Sequence, residues 1–219
     1  MLAALALGLL ILATTVCGGD AAAPSALVPE ADPRLGAPLA IRERAVQGAG
    51  DAPVVVIEFS SFKCTHCRAF HESVFPRLRE EYIRTGKVQW VVINASNDPA
   101  DQTDPIFRVA RAALRQGMYW EINDSLFQVG LRPPGALAEL LAKSPLNDRG
   151  GLEAGLRDPE IQAAVTADFA DYGRLKIRGT PTFLVRSRSR NGQWVEAKIE
   201  DLQPLDFFRQ VLDGLLRTP

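Results

Sequence analysis

The sequence is poor in the residues that carry metal and redox chemistry, with three cysteines and two histidines among 219 residues. It also lacks a charge excess, because 25 lysine and arginine residues nearly balance 26 aspartate and glutamate residues. This balance argues against the strongly basic surface on which nucleic-acid binding depends, so no nucleic-acid partner is predicted. The remaining composition is ordinary for a globular domain, with 47% apolar and 23% charged residues, and the chain can bury a substantial core.

The N-terminal segment is an uncharged apolar run that extends to about Val16. It is too short to span a bilayer comfortably, and small residues follow it, so residues 1–23 are predicted to be an export signal. A buried N-terminal helix is the alternative. Cys17 stands where a lipoprotein signal places its lipidated cysteine, so a lipid anchor there and simple cleavage near Ala23 both remain open. Residues 24–38 are rich in alanine and proline and are predicted to be a linker.

The hydrophobic pattern that follows predicts an α/β fold. An apolar, β-branched run over 53–59 indicates a strand buried on both faces. Apolar residues at three-to-four spacing then predict a helix from Cys64 to about Tyr82, kinked at Pro76. A second buried strand is predicted over 88–94. A strand, a helix and a strand in this order form a parallel crossover unit.

The middle of the chain is predicted to be helical, and strands return only near the C-terminus. The remaining predicted elements are helices starting at Asp104-Pro105 and Asp158-Pro159, strands over 182–186 and 194–199, and a last helix over 204–216. Asn191-Gly192, between the last two strands, is a strong hairpin signal. The C-terminal strands are therefore predicted to be antiparallel.

The chemistry of the chain is expected in the segment Cys64-Thr65-His66-Cys67, at the junction between the first buried strand and its helix. A cysteine at a helix N-terminus meets unpaired backbone N–H groups, and these favour the thiolate. The thiolate is the attacking species in thiol-disulfide exchange. We therefore predict that Cys64 is the reactive thiol and that Cys67, one turn inside the helix, is the resolving thiol.

Half of a zinc site is the alternative for a Cys-x-x-Cys pair, with His66 and His71 as the other two ligands. His71 shares a helix face with Cys67, but His66 adjoins Cys67, and one helix cannot turn all four groups toward one tetrahedral centre. The sequence therefore predicts no bound metal and no cofactor.

The segment Glu58-Phe-Ser-Ser-Phe-Lys-Cys64-Thr-His-Cys67, followed by Gly179-Thr180-Pro181-Thr-Phe, resembles the DsbA-like thiol-disulfide oxidoreductases. The resemblance implies a thioredoxin fold with a mixed central sheet, formed by residues 39–98 and 175–219. It also implies an inserted helical subdomain over residues 99–174. Expected partners are thiol-containing exported proteins and a membrane redox protein that resets the cysteine pair. The expected location is the periplasm, or the outer face of the cytoplasmic membrane.

The same resemblance implies roles for the residues around the cysteine pair. Pro181 is expected to be cis and to stand opposite the pair, where Thr180 offers its backbone to a substrate peptide and Thr65 contributes to binding. Glu58 is expected to be a buried carboxylate that shuttles a proton to and from Cys67. An acid that reaches solvent at the sheet end is the alternative for Glu58. His66 is expected to stabilise the Cys64 thiolate, and an exposed loop histidine is its alternative.

Oxidation of folding proteins is the predicted activity, with two alternatives. Thr65 and Thr180 differ from the proline and valine of the best-known oxidase, so a reductant or isomerase, for example in cytochrome maturation, remains open. A non-enzymatic lipoprotein that carries a soft ion such as Cu(I) on the cysteine pair is the other alternative. His71, Arg186, Arg188 and Arg190 are predicted to be solvated surface residues.

Overall fold

A computed structural model describes residues 43–133, 135–143, 149–188 and 194–217. The predicted export signal, the linker and Cys17 lie outside these residues, as does the predicted Asn191-Gly192 turn. Over the described ranges, no helix is long and apolar enough to cross a membrane.

The fold is organised around a five-stranded mixed sheet, as the described residues show it, in the order β1-β3-β2-β4-β5. The strands are β1 (Ala45–Gln47), β2 (Val54–Ser60), β3 (Val88–Asn94), β4 (Thr182–Arg188) and β5 (Trp194–Glu200). β2 and β3 pair in parallel, and the other neighbouring strands pair antiparallel. This topology confirms the predicted α/β thioredoxin fold. The three-residue strand β1 has no counterpart in the predictions, since its sequence is too short to show a period.

The two central strands are buried along their whole length. Every residue of β2 and of β3 is buried, which matches their β-branched, apolar sequences. Two polar side chains on β2, Glu58 and Ser60, are fully buried with the apolar ones. A strand alternates its side chains between two faces, so these two residues point to the same side of the sheet.

The helix after β2 is interrupted near the predicted position. α1 (Thr65–Ser73) ends at Val74, and α2 (Phe75–Leu78) has Pro76 in its first turn, where the missing proline N–H costs nothing. A π-helical turn (Arg79–Ile83) completes the segment before β3. The sequence predicted a kink at Pro76, and the helix is interrupted two residues earlier, at Val74.

Helices and no strand form the chain between β3 and β4 in the residues described there. It contains a 3-10 turn (Pro99–Thr103) and the helices α3 (Pro105–Arg115), α4 (Tyr119–Gly130), α5 (Ala136–Lys143), α6 (Arg149–Gly155) and α7 (Pro159–Arg174). Asp98, Asp104 and Asp158 each cap a helix start, and each accepts a hydrogen bond from a backbone N–H two residues on. The subdomain boundaries at 99 and 174 stay a prediction.

A buried ion-pair cluster joins the segment before β1 to this helical region. Asp168 on α7 pairs with Arg44 and with Arg111 on α3, and Arg44 also contacts Asp171 at 2.8 Å. Burial raises the pKa of Asp168 to about 7, and the attraction of Arg111 opposes that rise. Removing either arginine would leave a buried carboxylate without full compensation, which is destabilising.

The C-terminal hairpin corrects one surface prediction. Arg186 on β4 is 3% exposed, and its Nε donates to Glu196 Oε1 on β5 at 2.8 Å. The prediction that Arg186 is solvated was wrong because Glu196 on the neighbouring strand compensates the charge of the buried Arg186 side chain. The chain closes with α8 (Leu205–Arg217), which packs Phe208 and Leu212 against the sheet.

Candidate active site

Cys64 lies at the N-cap of α1, four residues after the end of β2. The backbone N–H of Cys67 donates to Cys64 Sγ at 3.4 Å, so the sulfur takes the place that a serine or aspartate oxygen usually fills at a helix start. The N-terminal end of a helix carries partial positive charge. The predicted strand-to-helix placement of Cys64 therefore holds in the structure.

The pKa of Cys64 is lowered to about 5. The largest cause is the side-chain hydrogen bond from Cys67, which more than offsets the partial burial that opposes ionisation. A side-chain hydrogen bond from Thr180 and the backbone N–H groups of Cys67 and His66 lower the pKa further. At neutral pH Cys64 is therefore a thiolate, the species that reacts in disulfide exchange.

Cys67 has the opposite surroundings. Its side chain is fully buried, and the backbone N–H of Ser61 donates to its sulfur at 3.5 Å. Burial raises the pKa of Cys67, and the hydrogen bond to Cys64 and the charge of that thiolate raise it further. Both cysteines are free thiols in this structure, so the pair is described in its reduced state.

The segment before β4 meets the cysteine pair from the other side. The Thr180–Pro181 peptide bond is cis, as the resemblance implied. The Cys64 Sγ–H donates to the Thr180 carbonyl at 3.1 Å, which places Pro181 beside the reactive sulfur. Thr65 is exposed at the first position of α1.

His66 is exposed and has a partner that sequence reasoning missed. Its Nδ1 lies 2.5 Å from Asp201 Oδ1. This hydrogen bond and the charge of Asp201 raise the pKa of His66, and the charge of Cys64 adds a smaller contribution in the same direction. Asp201 follows β5 with a positive φ of 65°, a conformation that aspartate tolerates better than most residues. Nothing in the sequence pattern indicates that this residue returns to the cysteine pair.

A groove of about 660 Å³ opens beside His66 and Thr180. Its lining includes basic and acidic side chains, among them Lys176, Arg178, Lys198 and Asp201. The groove can therefore accommodate an extended polar chain beside His66 and Thr180.

Glu58 on β2 is fully buried. One carboxylate oxygen lies 2.8 Å from His71 Nε2, and the other accepts a hydrogen bond from Trp90 Nε1 at 2.9 Å. The alternative of an acid reaching solvent is therefore wrong. Two polar contacts compensate for the burial of this carboxyl group.

His71 corrects the second surface prediction. It is 4% exposed, its ring stacks on Phe127 at 4.3 Å, and its Nδ1 lies 3.3 Å from Asn123 Nδ2. The prediction was wrong because His71 lies on the buried face of α1, where Glu58 and Asn123 provide polar partners. The periodicity of the sequence does not reveal such partners.

The two histidines point to different partners, one at the surface and one in the core. In the ranges that the structure covers, no group of three or more histidine, cysteine, aspartate or glutamate side chains is placed to hold a metal ion. The alternative of a zinc site with Cys64, Cys67, His66 and His71 as ligands therefore finds no such grouping in those ranges.

Comparisons with known proteins agree with this geometry. Residues 41–202 match the family model described as Thioredoxin. The chain is 33% identical to the Bacillus anthracis protein named "Probable disulfide bond formation protein D" over 153 residues, which cover 66% of this chain and 70% of the relative. The crystal structure of Wolbachia pipientis alpha-DsbA1 is similar at a TM-score of 0.69 and 25% identity, covering 84% of this chain and 94% of that one. Oxidised BdbD from Bacillus subtilis shares the fold at a TM-score of 0.65 and 22% identity, covering 81% and 95%.

Proposed function

Because the chain belongs to the DsbA-like thioredoxin-fold family and is a protein disulfide oxidoreductase, we propose that it acts as an exported oxidase of folding proteins. The single observation that carries this proposal is the lowered pKa of Cys64, about 5. Disulfide formation removes the thiolate, so any interaction that stabilises the thiolate also stabilises the reduced protein. A stabilised reduced form means a higher reduction potential and a stronger oxidant.

The size of this effect follows from the pKa. The Cys64 pKa of about 5 lies two units below pH 7. This difference stabilises the reduced form by about 2.7 kcal/mol at pH 7. For a two-electron couple that free energy is worth about 60 mV. This increment is large enough to move the pair from a reducing to an oxidising potential against a glutathione buffer.

The reaction assigns different roles to the two sulfurs. A substrate thiolate attacks Cys64 in the oxidised pair and releases Cys67 as the leaving thiol. The second substrate thiol then attacks the mixed disulfide and leaves both protein cysteines reduced. Glu58, which is fully buried on β2, is proposed to shuttle the proton that Cys67 gains or loses.

The surface around Cys64 is proposed to hold the substrate. Thr180, with its backbone beside the sulfur, and Pro181 would align an extended peptide, and Thr65 would contact it from the start of α1. His66 supports the thiolate through its backbone N–H, and through a side chain whose pKa the Cys64 charge raises.

A reductant is the second candidate, and one contact favours it. The Cys64 thiol donates to the Thr180 carbonyl at 3.1 Å, an interaction that exists only while the thiol is protonated. It therefore stabilises the neutral thiol and opposes the N–H groups that favour the thiolate.

The location and the partners also belong to the proposal. Export is supported by the apolar N-terminal segment, and Cys17 would provide a lipid anchor if the signal is of the lipoprotein kind. Substrates would be exported proteins that contain thiols, and a membrane redox protein would return the pair to its disulfide form.

The direct test is to add the oxidised protein to a reduced, unfolded disulfide protein without oxygen. We expect one substrate disulfide per Cys64–Cys67 disulfide consumed. In a second arm the single-cysteine variants are mixed with the disulfide form of the substrate, and mixed disulfides should accumulate with Cys67→Ala and not with Cys64→Ala. Reduction of substrate disulfides by the dithiol form, with no net oxidation by the disulfide form, would favour the reductant.

A further inference from the structure

The groove beside His66 and Thr180 is lined by charged side chains of both signs. Its charged lining residues are Lys176, Arg178, Lys198, Glu200 and Asp201, together with His66. Lysine and arginine side chains therefore outnumber the acids. The charge that a bound chain meets depends on which of these groups already neutralise one another.

Both acids of the groove already have partners. Glu200 Oε1 lies 2.5 Å from Lys198 Nζ, two residues earlier on the same face of β5. Asp201 Oδ1 lies 2.5 Å from His66 Nδ1. Neither carboxylate is therefore free to repel an acidic ligand with its full charge.

Lys176 and Arg178 are the cations that remain. Both side chains are exposed, and neither makes a hydrogen bond or an ion pair in the part of the chain that the structure describes. The pKa of Glu200 is lowered mainly by the hydrogen bond from Lys198 and by its charge, and Arg178 adds a smaller contribution. Arg178 is thus near the groove wall that β5 forms, without a counter-ion of its own.

Lys176 occupies a position where glycine is the favoured residue. It follows α7 with a φ of 52°. Its N–H donates to the Gly173 carbonyl at 3.0 Å, and the N–H of Ile177 donates to the Tyr172 carbonyl at 3.1 Å. These two bonds are the usual end of a helix that stops at a left-handed residue. Lysine is less favourable than glycine in this conformation, so its side chain calls for an explanation.

The two cations lead directly into the loop at the reactive sulfur. Ile177, between them, is buried, while its two neighbours are exposed on the groove. Thr180, whose carbonyl accepts from the Cys64 Sγ–H at 3.1 Å, follows Arg178 by two residues and Lys176 by four. A fully extended chain advances about 3.6 Å per residue, so Arg178 lies at most about 7 Å and Lys176 at most about 14 Å from Thr180 along the backbone.

We propose that this groove selects substrate segments that carry aspartate or glutamate within about four residues of the reacting cysteine, with Lys176 and Arg178 binding those carboxylates. The inference rests on the proposed thiol-disulfide exchange at Cys64 and specifies its substrate class. Lys176 and Arg178 are specificity residues, because they contact the bound chain and not the sulfur atoms. Opposite charges favour association with acidic segments, and like charges disfavour basic ones.

The test uses reduced Cys67→Ala protein, in which a mixed disulfide at Cys64 is not resolved. It is mixed with symmetrical disulfides of three peptides that have one cysteine each. The peptides differ only in the residues two and four positions on either side of that cysteine, which are all glutamate, all glutamine or all lysine. Mass spectrometry of quenched samples gives the rate of mixed-disulfide formation with each peptide at pH 7 and low salt.

The measured quantity is the ratio of the glutamate rate to the lysine rate. We expect this ratio to be about tenfold higher with the unaltered groove than with the double variant Lys176→Gly, Arg178→Gln, since each exposed ion pair is worth up to about fivefold. The comparison between proteins cancels the intrinsic reactivity of each peptide. The ratio should fall toward the value of the double variant in about 0.5 M NaCl, which screens exposed charges.

Lys87→Gln is the matched control. Lys87 is exposed and precedes Val88, which pairs with Val54 at the start of β2, whereas Cys64 follows the end of that strand. Its Nζ contacts only the Tyr82 ring, at 5.5 Å, in the described ranges. The substitution removes one positive charge, as Arg178→Gln does, and should leave the ratio unchanged.

Urea unfolding separates substrate binding from a role of Lys176 at the helix end, where a cation also offsets the helix dipole. Lys176→Gly should unfold at the same or a higher urea concentration, because glycine relieves the left-handed conformation, and should lower the rate ratio by about threefold. A lower unfolding midpoint with an unchanged ratio would assign Lys176 to the helix end and overturn its role in specificity.

The whole proposal is overturned if the double variant keeps the rate ratio of the unaltered groove, if Lys87→Gln lowers that ratio as much as Arg178→Gln, or if salt leaves it unchanged. A Cys64 that forms no mixed disulfide with any peptide would contradict the proposed function instead. The direction of exchange is read from the reduction potential of the Cys64–Cys67 pair, which does not depend on peptide charge.

Discussion

Cys64 and Cys67 are separated by only two residues, yet they lie in two different regions of the molecule. Cys64 is partly exposed at the helix N-cap, among backbone groups that stabilise its negative charge. Cys67, less than one turn further, is fully buried against the sheet, where its negative charge is costly. The helix start thus gives two identical side chains opposite protonation preferences, and an exchange reaction needs this asymmetry.

The two regions are also built from different parts of the chain. Around Cys64 the stabilising contacts are hydrogen bonds to the sulfur, from the side chains of Cys67 and Thr180 and from the backbone N–H groups of Cys67 and His66. Cys67 is instead fully buried, and the backbone N–H of Ser61 reaches its sulfur at 3.5 Å.

The largest expected difference between the two thiols is in alkylation. At pH 7 iodoacetamide should modify Cys64 more than about a hundredfold faster than Cys67, because nearly all of Cys64 is thiolate and burial protects Cys67. Peptide mass spectrometry over a time course measures both rates. Equal rates, or faster modification of Cys67, would contradict the predicted difference in reactivity between the two thiols.

The second difference is in the stability of the reduced protein. The Cys64 pKa is lower in the folded than in the unfolded protein, so the unfolded chain binds one more proton between about pH 5 and pH 9. The stabilisation is complete above pH 9 and is lost as the pH falls through 5; between pH 5 and pH 7 it amounts to about 2.7 kcal/mol.

Urea unfolding of the reduced protein and of Cys64→Ser at both pH values measures this contribution. The difference between the two proteins isolates Cys64 from other groups that titrate in the same range, such as Asp168. If the free energies of unfolding of the two proteins change equally with pH, the Cys64 thiolate contributes nothing to stability.

A smaller effect is expected from the side chain of Thr180. Thr180→Val keeps the backbone carbonyl and Pro181 but removes the hydroxyl that lowers the pKa of Cys64. The loss of one hydrogen bond to a charged group should raise that pKa by about one unit and lower the potential by about 30 mV. Thiolate absorbance near 240 nm follows the titration.

Thr182→Val is the matched control, since the Thr182 hydroxyl donates to the Gly179 carbonyl at 2.8 Å and not to a sulfur. A Thr180→Val protein with the same Cys64 titration as the unaltered protein would show that the Thr180 hydroxyl does not lower the pKa of Cys64.

The smallest effect is expected at the exposed rim. Asp201→Asn should lower the pKa of His66, because it removes the hydrogen-bonded charge that raises it. The effect on Cys64 should be weaker than that of Thr180→Val, since the His66 side chain is 55% exposed and solvent screens its charge. An NMR titration of the imidazole measures the change.

Glu200→Gln, which removes a neighbouring acid paired with Lys198, serves as the control. If Glu200→Gln and Asp201→Asn change the His66 titration equally, the specific contact with Asp201 is not its cause.

The surface region could be predicted well from the sequence, because its determinants are local. A buried strand, a Cys-x-x-Cys pair and a helix start define the position of Cys64 without any knowledge of distant residues. The strands, the helices and the fold class follow from the same kind of local signal. Asp201 is the exception, since its contact with His66 depends on a positive φ after β5 and spans 135 positions.

The buried region could be predicted only in part. Glu58 stands out as an acid in an apolar strand, but Ser60 looks like the end of the strand and His71 like a surface residue. Their burial depends on how α1 packs on β2 and on where α4 places Asn123. Such tertiary contacts leave no period in the sequence, and for the same reason the burial of Arg186 against Glu196 was missed.

The central claim is that the protein stabilises its reduced, thiolate form and is therefore an oxidant. The reduction potential of the Cys64–Cys67 pair against glutathione, measured from pH 4 to pH 8, tests it most directly. We expect a potential at pH 7 well above the thioredoxin value of about −270 mV, falling by about 60 mV per pH unit below pH 5 and by about 30 mV per unit above it. A potential at or below the thioredoxin value, with the steeper slope up to pH 8, would contradict the account.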